Sequence, residues 1–294
     1  MANKKLVLGT VQLGMQYGIS NTTGKPDEAS AMSILDTALE AGIDMFDTAA
    51  AYGDSEQVLG RWITSRSISG RVRILSKLSP SPGRNAENVK SEILNTLRRL
   101  NIEKLDGYLL HSAADMESEA VMSGMLAAKK AGHILNIGVS IYEPKQGMRA
   151  IEHGLDYIQV PYNAFDRRLD ASGFFDVAKK NGAKVFARSA FLQGLLLMEP
   201  AAVPQGLSQA SQLIKRFRDI ATGHGLTPLQ AALSYACNHP GIDYVVFGVE
   251  TKAQLEEILA VDTKEHEPCV AELRDAFTEV DSIIIDPRLW PKKD

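Results

Sequence analysis

Cysteine is scarce. Only Cys237 and Cys269 occur, far apart and outside any CxxC pair, which argues against a disulfide framework and points to a reducing compartment. Long apolar runs are missing as well: the stretch from Phe191 to Met198 falls far short of the roughly 20 residues needed to cross a bilayer. At the start, Met1 to Lys5 lead only into Leu6 to Leu8 before Gly9, too little for the apolar core of about 7 to 15 residues in a signal peptide. A cytoplasmic location and no membrane partner follow. Basic charge is not in excess, because 32 Lys plus Arg face 36 Asp plus Glu for a net charge of −4. Such a chain lacks the positive field that phosphate backbones require, so nucleic acid is not an expected partner. Ser/Gly-rich linkers and breaks in composition are absent too, and residues 1–294 read as one domain.

What the chain does have is a regular alternation. Eight apolar, β-branched segments are strand candidates: 6–10, 44–48, 73–77, 107–111, 136–140, 157–159, 184–188 and 244–248. Amphipathic segments separate them. Val89, Ile93, Leu97 and Leu100 recur with the spacing of one helix face behind a predicted Asn85 cap, and Met32, Leu35 and Leu39 do the same earlier. Gly42, Gly132, Gly154 and Gly182 follow helical patterns, where a left-handed cap suits a residue without Cβ. Eight βα units in a chain of this length predict an α/β fold, a (β/α)8 TIM barrel. The long interval between strands seven and eight holds two helical patterns, 208–223 and 228–238, which implies an extra helix there. A further helix near 270–280 precedes a tail with Pro287, Trp290 and Pro291 that reads as a non-helical cover.

In such a barrel the chemistry lies at the C-terminal ends of the strands. Polar residues there include Asp47, Lys77, His111, Ser140, Gln159 and Arg188, with Tyr52 one loop beyond Asp47. A phenol of pKa near 10 is a poor acid at neutral pH unless a cation favours its anion. Lys77 can supply that cation, Asp47 can hold it, and His111 can donate to a carbonyl oxygen on which charge develops. Such a group protonates an alkoxide but supplies no hydride, so a reduced cofactor is implied.

At these residues the sequence resembles the aldo-keto reductase family. Asp47-Thr-Ala-Ala-Ala-Tyr-Gly-Asp-Ser-Glu56 matches its DTAxxYGxSE signature, and the resemblance continues through Leu75-Ser-Lys77, Leu109-Leu-His111, Gly138-Val-Ser140, Gln159-Val-Pro-Tyr-Asn163 and Gln193-Gly-Leu-Leu196. It spans residues 6 to 262. The resemblance implies an NAD(P)H-dependent reductase of aldehydes or ketones in which Asp47, Tyr52, Lys77 and His111 are catalytic, with Tyr52 as proton donor. It implies that Ser140 and Gln159 hold the nicotinamide carboxamide. Further cofactor contacts are expected from Thr10, from Arg188, Ser189, Leu192 and Gly194 after strand seven, and from Gly248, Thr251, Gln254 and Glu257 near the last barrel helix.

No Rossmann fingerprint competes with this reading, and Gly18 to Lys25 misses the phosphate-loop spacing. Thr251-x-x-Gln254 is also a capping box, which explains both residues by helix initiation alone. Four positions depart from the family pattern. Ile141 replaces an Asn after the serine, Arg188 stands where an aromatic stacks on the nicotinamide, Glu250 stands where a basic or small residue is common near the 2′-phosphate, and Ile258 where an Asn often meets adenine. NADPH is the expected cofactor, with NADH also possible. Met15, Tyr17, Phe165, Arg167 and Phe191 are candidate walls for the substrate. Arg167, Arg168 and Arg188 favour a small polar or anionic carbonyl compound, such as a sugar-derived aldehyde.

His133, His153 and His224 each sit at a helix end beside glycine, with no HxxxH or HExxH pair, so no metal is expected. Asp54-x-x-Gln57 reads as another cap, and Glu56 as structural. Two other functions remain open at this point. Lys77 is also placed to act as a Schiff-base aldolase nucleophile, although its Asp47 neighbour favours the unreactive ammonium. A non-catalytic, cofactor-binding redox sensor is the other, and oligomeric state is not legible.

Overall fold

The computed structural model describes residues 5–81, 83–264 and 266–291. Its eight strands are β1 (Leu6–Gly9), β2 (Met45–Asp47), β3 (Arg73–Leu78), β4 (Leu105–Leu110), β5 (Ile134–Ser140), β6 (Tyr157–Pro161), β7 (Lys184–Arg188) and β8 (Tyr244–Gly248). Each pairs in parallel with the next, and β8 closes onto β1. The predicted (β/α)8 barrel is therefore present. Predicted strand limits match at half of the ends, including both ends of β7 and β8, and differ by one to two residues at the rest, because the sequence shows apolar character but not where pairing stops. Thr10, Thr48 and His111 lie just past their strands.

The two-residue period of a strand decides what faces the barrel interior. Val7, Met45, Leu75, Phe186 and Val246 form a small buried cluster of their own, distinct from the large core between sheet and helices. Two residues further along the same strands, on the same face, come Gly9, Asp47, Lys77, Arg188 and Gly248. An apolar floor thus lies directly beneath a polar mouth.

The outer helices start where their caps dictate. Asn85 and Asn88 form a reciprocal capping box that opens Ala86–Leu100, which buries Val89, Ile93, Leu97 and Leu100. Thr251 and Gln254 do likewise for Lys252–Leu259. Asp54 departs from expectation. It occupies the cap position of Ser55–Arg66 but makes no side-chain cap bond, since its carboxylate pairs with Lys25.

Two helices, Ala210–Gly223 and Pro228–Cys237, fill the interval between β7 and β8, and Glu267–Ala276 follows the barrel. The tail is more structured than predicted. Asp281 accepts from the Ile283 amide and opens a short helix, Ser282–Ile285. Asp286 accepts from the Arg288 amide and opens a 3-10 turn, Pro287–Leu289. Each aspartate satisfies an orphan amide that would otherwise favour extended chain. Among the described residues no helix is long and apolar enough to cross a membrane.

Candidate active site

Lys77 is fully buried at the end of β3. Its Nζ donates to Asp47 Oδ1 at 2.6 Å, to the Thr48 carbonyl at 2.9 Å and to Tyr52 Oη at 3.3 Å. Burial alone disfavours an ammonium, but the Asp47 carboxylate and then the Tyr52 phenol outweigh it, and the Lys77 pKa rises above its ordinary value. The lysine is a fixed cation against the phenol oxygen. The other Asp47 oxygen, Oδ2, accepts from Gln159 Nε2 at 2.8 Å.

His111 meets the Tyr52 ring edge-on, with centroids 5.9 Å apart. Burial pushes its pKa down to about 4, and the Lys77 and Arg188 charges add to this against the opposing pull of Asp47. The imidazole is therefore neutral at physiological pH, and its buried Nδ1 has no hydrogen-bond partner among the described residues. A neutral imidazole has one N–H to offer an oxygen in the mouth.

The backbone around Tyr52 is held by contacts that admit no side chain. A Cβ on Gly14 would lie 1.8 Å from the Tyr52 carbonyl, and one on Gly53 would lie 2.3 Å from the Gly14 carbonyl. A hydroxyl cluster supports the same loop. Ser55 Oγ lies 2.7 Å from Thr10 Oγ1 and 2.9 Å from Thr48 Oγ1, and Thr10 Oγ1 donates to the Asp47 carbonyl. Behind β3, buried Glu56 accepts from Ser76 Oγ and pairs with Arg99, a structural role.

One cavity of about 1090 Å³ opens above these groups and is lined by Tyr52, His111, Ser140, Gln159 and Arg188. It continues past Ser189, Phe191 and Gly194 to Gly248, Glu250, Gln254 and Glu257, with Thr10 and Tyr17 also on its walls. Ser140 and Gln159 are register partners on β5 and β6, so an hydroxyl and an amide stand side by side. The volume suits a dinucleotide with a small substrate. Gly194 and Gly248 line the cavity, the places of their missing side chains being taken by Ser20 and Gln12, and the buried Gln12 Oε1 on the cavity wall has no partner among the described residues. These residues fit a nicotinamide dinucleotide laid across the mouth.

Several sequence-predicted positions fall elsewhere. Phe165 is buried in the core against Phe277 and Phe217, because Asn163 Oδ1 accepts from the Phe165 and Asp166 amides and turns the loop inward. Arg167 pairs with Asp170 and donates to the Arg274 carbonyl, so it braces the C-terminal helix instead of the mouth. Arg168 is held by Asp166 through two bonds of 2.8 Å. Leu192 is fully buried at a left-handed φ of 48°, and Thr251 serves its helix as cap; neither lines the cavity. Met15 is exposed and lies outside the lining as well. Conversely, Tyr142 and Arg288 line the cavity and had no local signal in the sequence. No group of three His, Cys, Asp or Glu able to hold a metal occurs among the described residues.

A parallel eight-stranded barrel whose mouth joins a phenol, a buried lysine–aspartate pair and an imidazole defines a class of barrel enzyme, and comparison with known proteins states which. The profile of the Aldo/keto reductase family matches residues 5–268, and the chain belongs to that family. It is an NAD(P)H-dependent oxidoreductase acting on carbonyl groups. It is 26% identical to the aldo-keto reductase YhdN of Bacillus subtilis, over 86% of this chain and 83% of that one. It is 24% identical to the L-glyceraldehyde 3-phosphate reductase of Escherichia coli, with the same coverage of both chains. The solved holo form of aldo-keto reductase AKR11C1 from Bacillus halodurans shares the fold, with a TM-score of 0.75 and 22% identity over 96% of this chain and 95% of that one.

Proposed function

We propose that the protein reduces a small polar or sugar-derived aldehyde or ketone to the alcohol, with Tyr52 as the proton donor. The observation that carries this reading is the 3.3 Å contact between Tyr52 Oη and the buried Lys77 Nζ. When bound, a reduced nicotinamide held by the residues of the mouth would supply the hydride for the carbonyl carbon. Everything else falls to the chain. The neutral N–H of His111 orients the carbonyl oxygen, and the Tyr52 O–H bond breaks as its proton moves to that oxygen. The phenolate left behind is stabilised by the Lys77 ammonium, which Asp47 keeps in place.

Ser140 and Gln159 would hold the carboxamide, and Arg188 would lie flat against the nicotinamide in place of the usual aromatic. Thr10, Ser189, Gly194, Gly248, Gln254 and Glu257 would contact the rest of the cofactor. Leu192 and Thr251 are not part of this set, since their amides are taken by the Ser189 carbonyl and Gln254 Oε1. NADPH is the proposed cofactor. Glu250 lines the same end of the cavity, and its carboxylate meets only the Gln254 amide among the hydrogen bonds described for it, so NADH is accepted too.

Turnover of NADPH and NADH with a panel of aldehydes and ketones tests the reading. Consumption of cofactor matched to alcohol formed supports it. Borohydride trapping of a substrate on Lys77 without cofactor turnover would instead establish the aldolase, and tight cofactor binding without any turnover the sensor.

A further inference from the structure

Tyr142, two residues past Ser140, is met by two guanidinium groups. The Arg188 Cζ lies 4.3 Å and the Arg288 Cζ 3.6 Å from its ring centroid. One comes from the end of β7 and the other from the turn in the C-terminal tail, yet both line the cavity that holds Tyr52 and His111. Two like charges gathered on one ring repel each other, so the arrangement calls for compensating negative charge nearby.

The compensation in the chain is incomplete. Arg288 grips both oxygens of Asp286, with Nε 2.9 Å from Oδ1 and Nη2 2.5 Å from Oδ2. Neighbouring Arg168 grips Asp166 in the same way. Arg188 has only neutral acceptors: Ser140 Oγ and Ser189 Oγ at 3.3 Å and the Ile141 carbonyl at 3.0 Å. Of the two guanidinium groups on the ring, Arg288 is paired with Asp286 and also feels Glu143, whereas the hydrogen bonds of Arg188 go to no carboxylate. A guanidinium has five N–H donors, and these three bonds leave two of Arg188 for a ligand.

We propose that Arg188 and Arg288, gathered on Tyr142, form a seat for an anionic group of the carbonyl substrate, a carboxylate or a phosphate. This rests on the reading of the cavity as a carbonyl-reductase site, and it deepens that reading by naming the substrate class. The two uses of Arg188 do not compete, because a guanidinium stacks through its plane and binds oxyanions through its rim. Arg288 presents an exposed face of the same kind from the tail. The seat sits beside the catalytic groups, so an anion there fixes which carbonyl reaches Tyr52.

The test separates binding from turnover. Isothermal titration of benzoate and of phenyl phosphate into the cofactor-loaded protein, and into its Arg288→Gln and Arg188→Gln forms, needs no reaction. We expect both anions to bind the parent and each variant to weaken them about 10- to 100-fold, the range for a lost charge-assisted hydrogen bond. Rates are then compared for para-carboxybenzaldehyde, para-formylphenyl phosphate and the methyl ester of the first. A higher kcat/KM for the charged aldehydes, reduced towards the ester's value in the variants and rescued in part by Arg288→Lys, supports the seat and shows which oxyanion it prefers. Anions that fail to bind the folded parent overturn the inference, as does an ester reduced as well as its acid. A charge preference that survives both Gln variants overturns it too. Anion binding that responds to the variants in a protein that turns over no carbonyl would overturn the reductase reading and leave the seat standing.

Discussion

Gln159 and Lys77 divide Asp47 between them: the amide donates to Oδ2 at 2.8 Å and the ammonium to Oδ1 at 2.6 Å. The carboxylate is thereby fixed from two sides, and the lysine has one oxygen to face and one phenol to serve. A buried charge is tolerable here only because each member of the group has partners.

Loss of the phenol should affect reaction more than binding. Tyr52→Phe is expected to lower turnover by a factor on the order of 10² to 10⁴, with cofactor affinity nearly unchanged. Lys77→Met should cost as much in rate and also lower the melting temperature, because the buried Asp47 carboxylate keeps the Gln159 amide but loses its cation. Asp47→Asn should lose less activity, since the lysine remains. Stopped-flow kinetics, cofactor titration and thermal melts separate these effects, and near-normal reduction by Tyr52→Phe would remove it from the mechanism.

The depressed His111 pKa sets a pH dependence. The imidazole ordinarily titrates near 6.5 and here near 4, so between those values the unfolded chain binds more protons than the folded one. Its contribution to stability is thus fully present above about 6.5 and is lost as pH falls towards 4. The ring resonances of His111 in NMR should stay those of neutral imidazole from pH 7 to about 5. A midpoint near 6.5 would show that the ring is not held neutral.

Glu250 offers a test of cofactor choice. Its carboxylate would repel a 2′-phosphate, by a few kcal/mol in a dry site and by under about 1 kcal/mol in a wet one. NADH should be used within a modest factor of NADPH, and Glu250→Lys should move the kcat/KM ratio towards NADPH. An unchanged ratio places Glu250 away from that phosphate.

Arg188 should also leave a mark on redox preference. A fixed positive charge against the nicotinamide disfavours the cationic oxidised ring relative to the neutral reduced one. Arg188→Tyr replaces it with a π face, which attracts a cation by about 0.5 to 2 kcal/mol. Titrating both redox forms should show that the oxidised cofactor tightens more than the reduced one; equal changes would mean that the guanidinium does not face the ring.

What the sequence disclosed follows from range. The two-residue period of a strand places Asp47, Lys77 and Arg188 on one face without any tertiary information, and caps such as Asn85 announce their helices. Loops obey no such period. Phe165 and Arg167 looked like mouth residues by position, but local hydrogen bonds at Asn163 and a distant carbonyl on Arg274 turned them inward. Arg288 was invisible for the opposite reason: only the path of the tail brings it to Tyr142.

The contact between Gly14 and the Tyr52 carbonyl has a consequence for how such a protein diversifies. The proton donor is registered against the barrel by main chain, which no exchange of neighbouring side chains can shift. The rim residues around Phe191, Tyr142 and the tail stand outside that registration. Rim sequence can therefore drift towards new substrates while the reaction centre keeps its geometry, so inheritance of chemistry and choice of substrate are mechanically uncoupled.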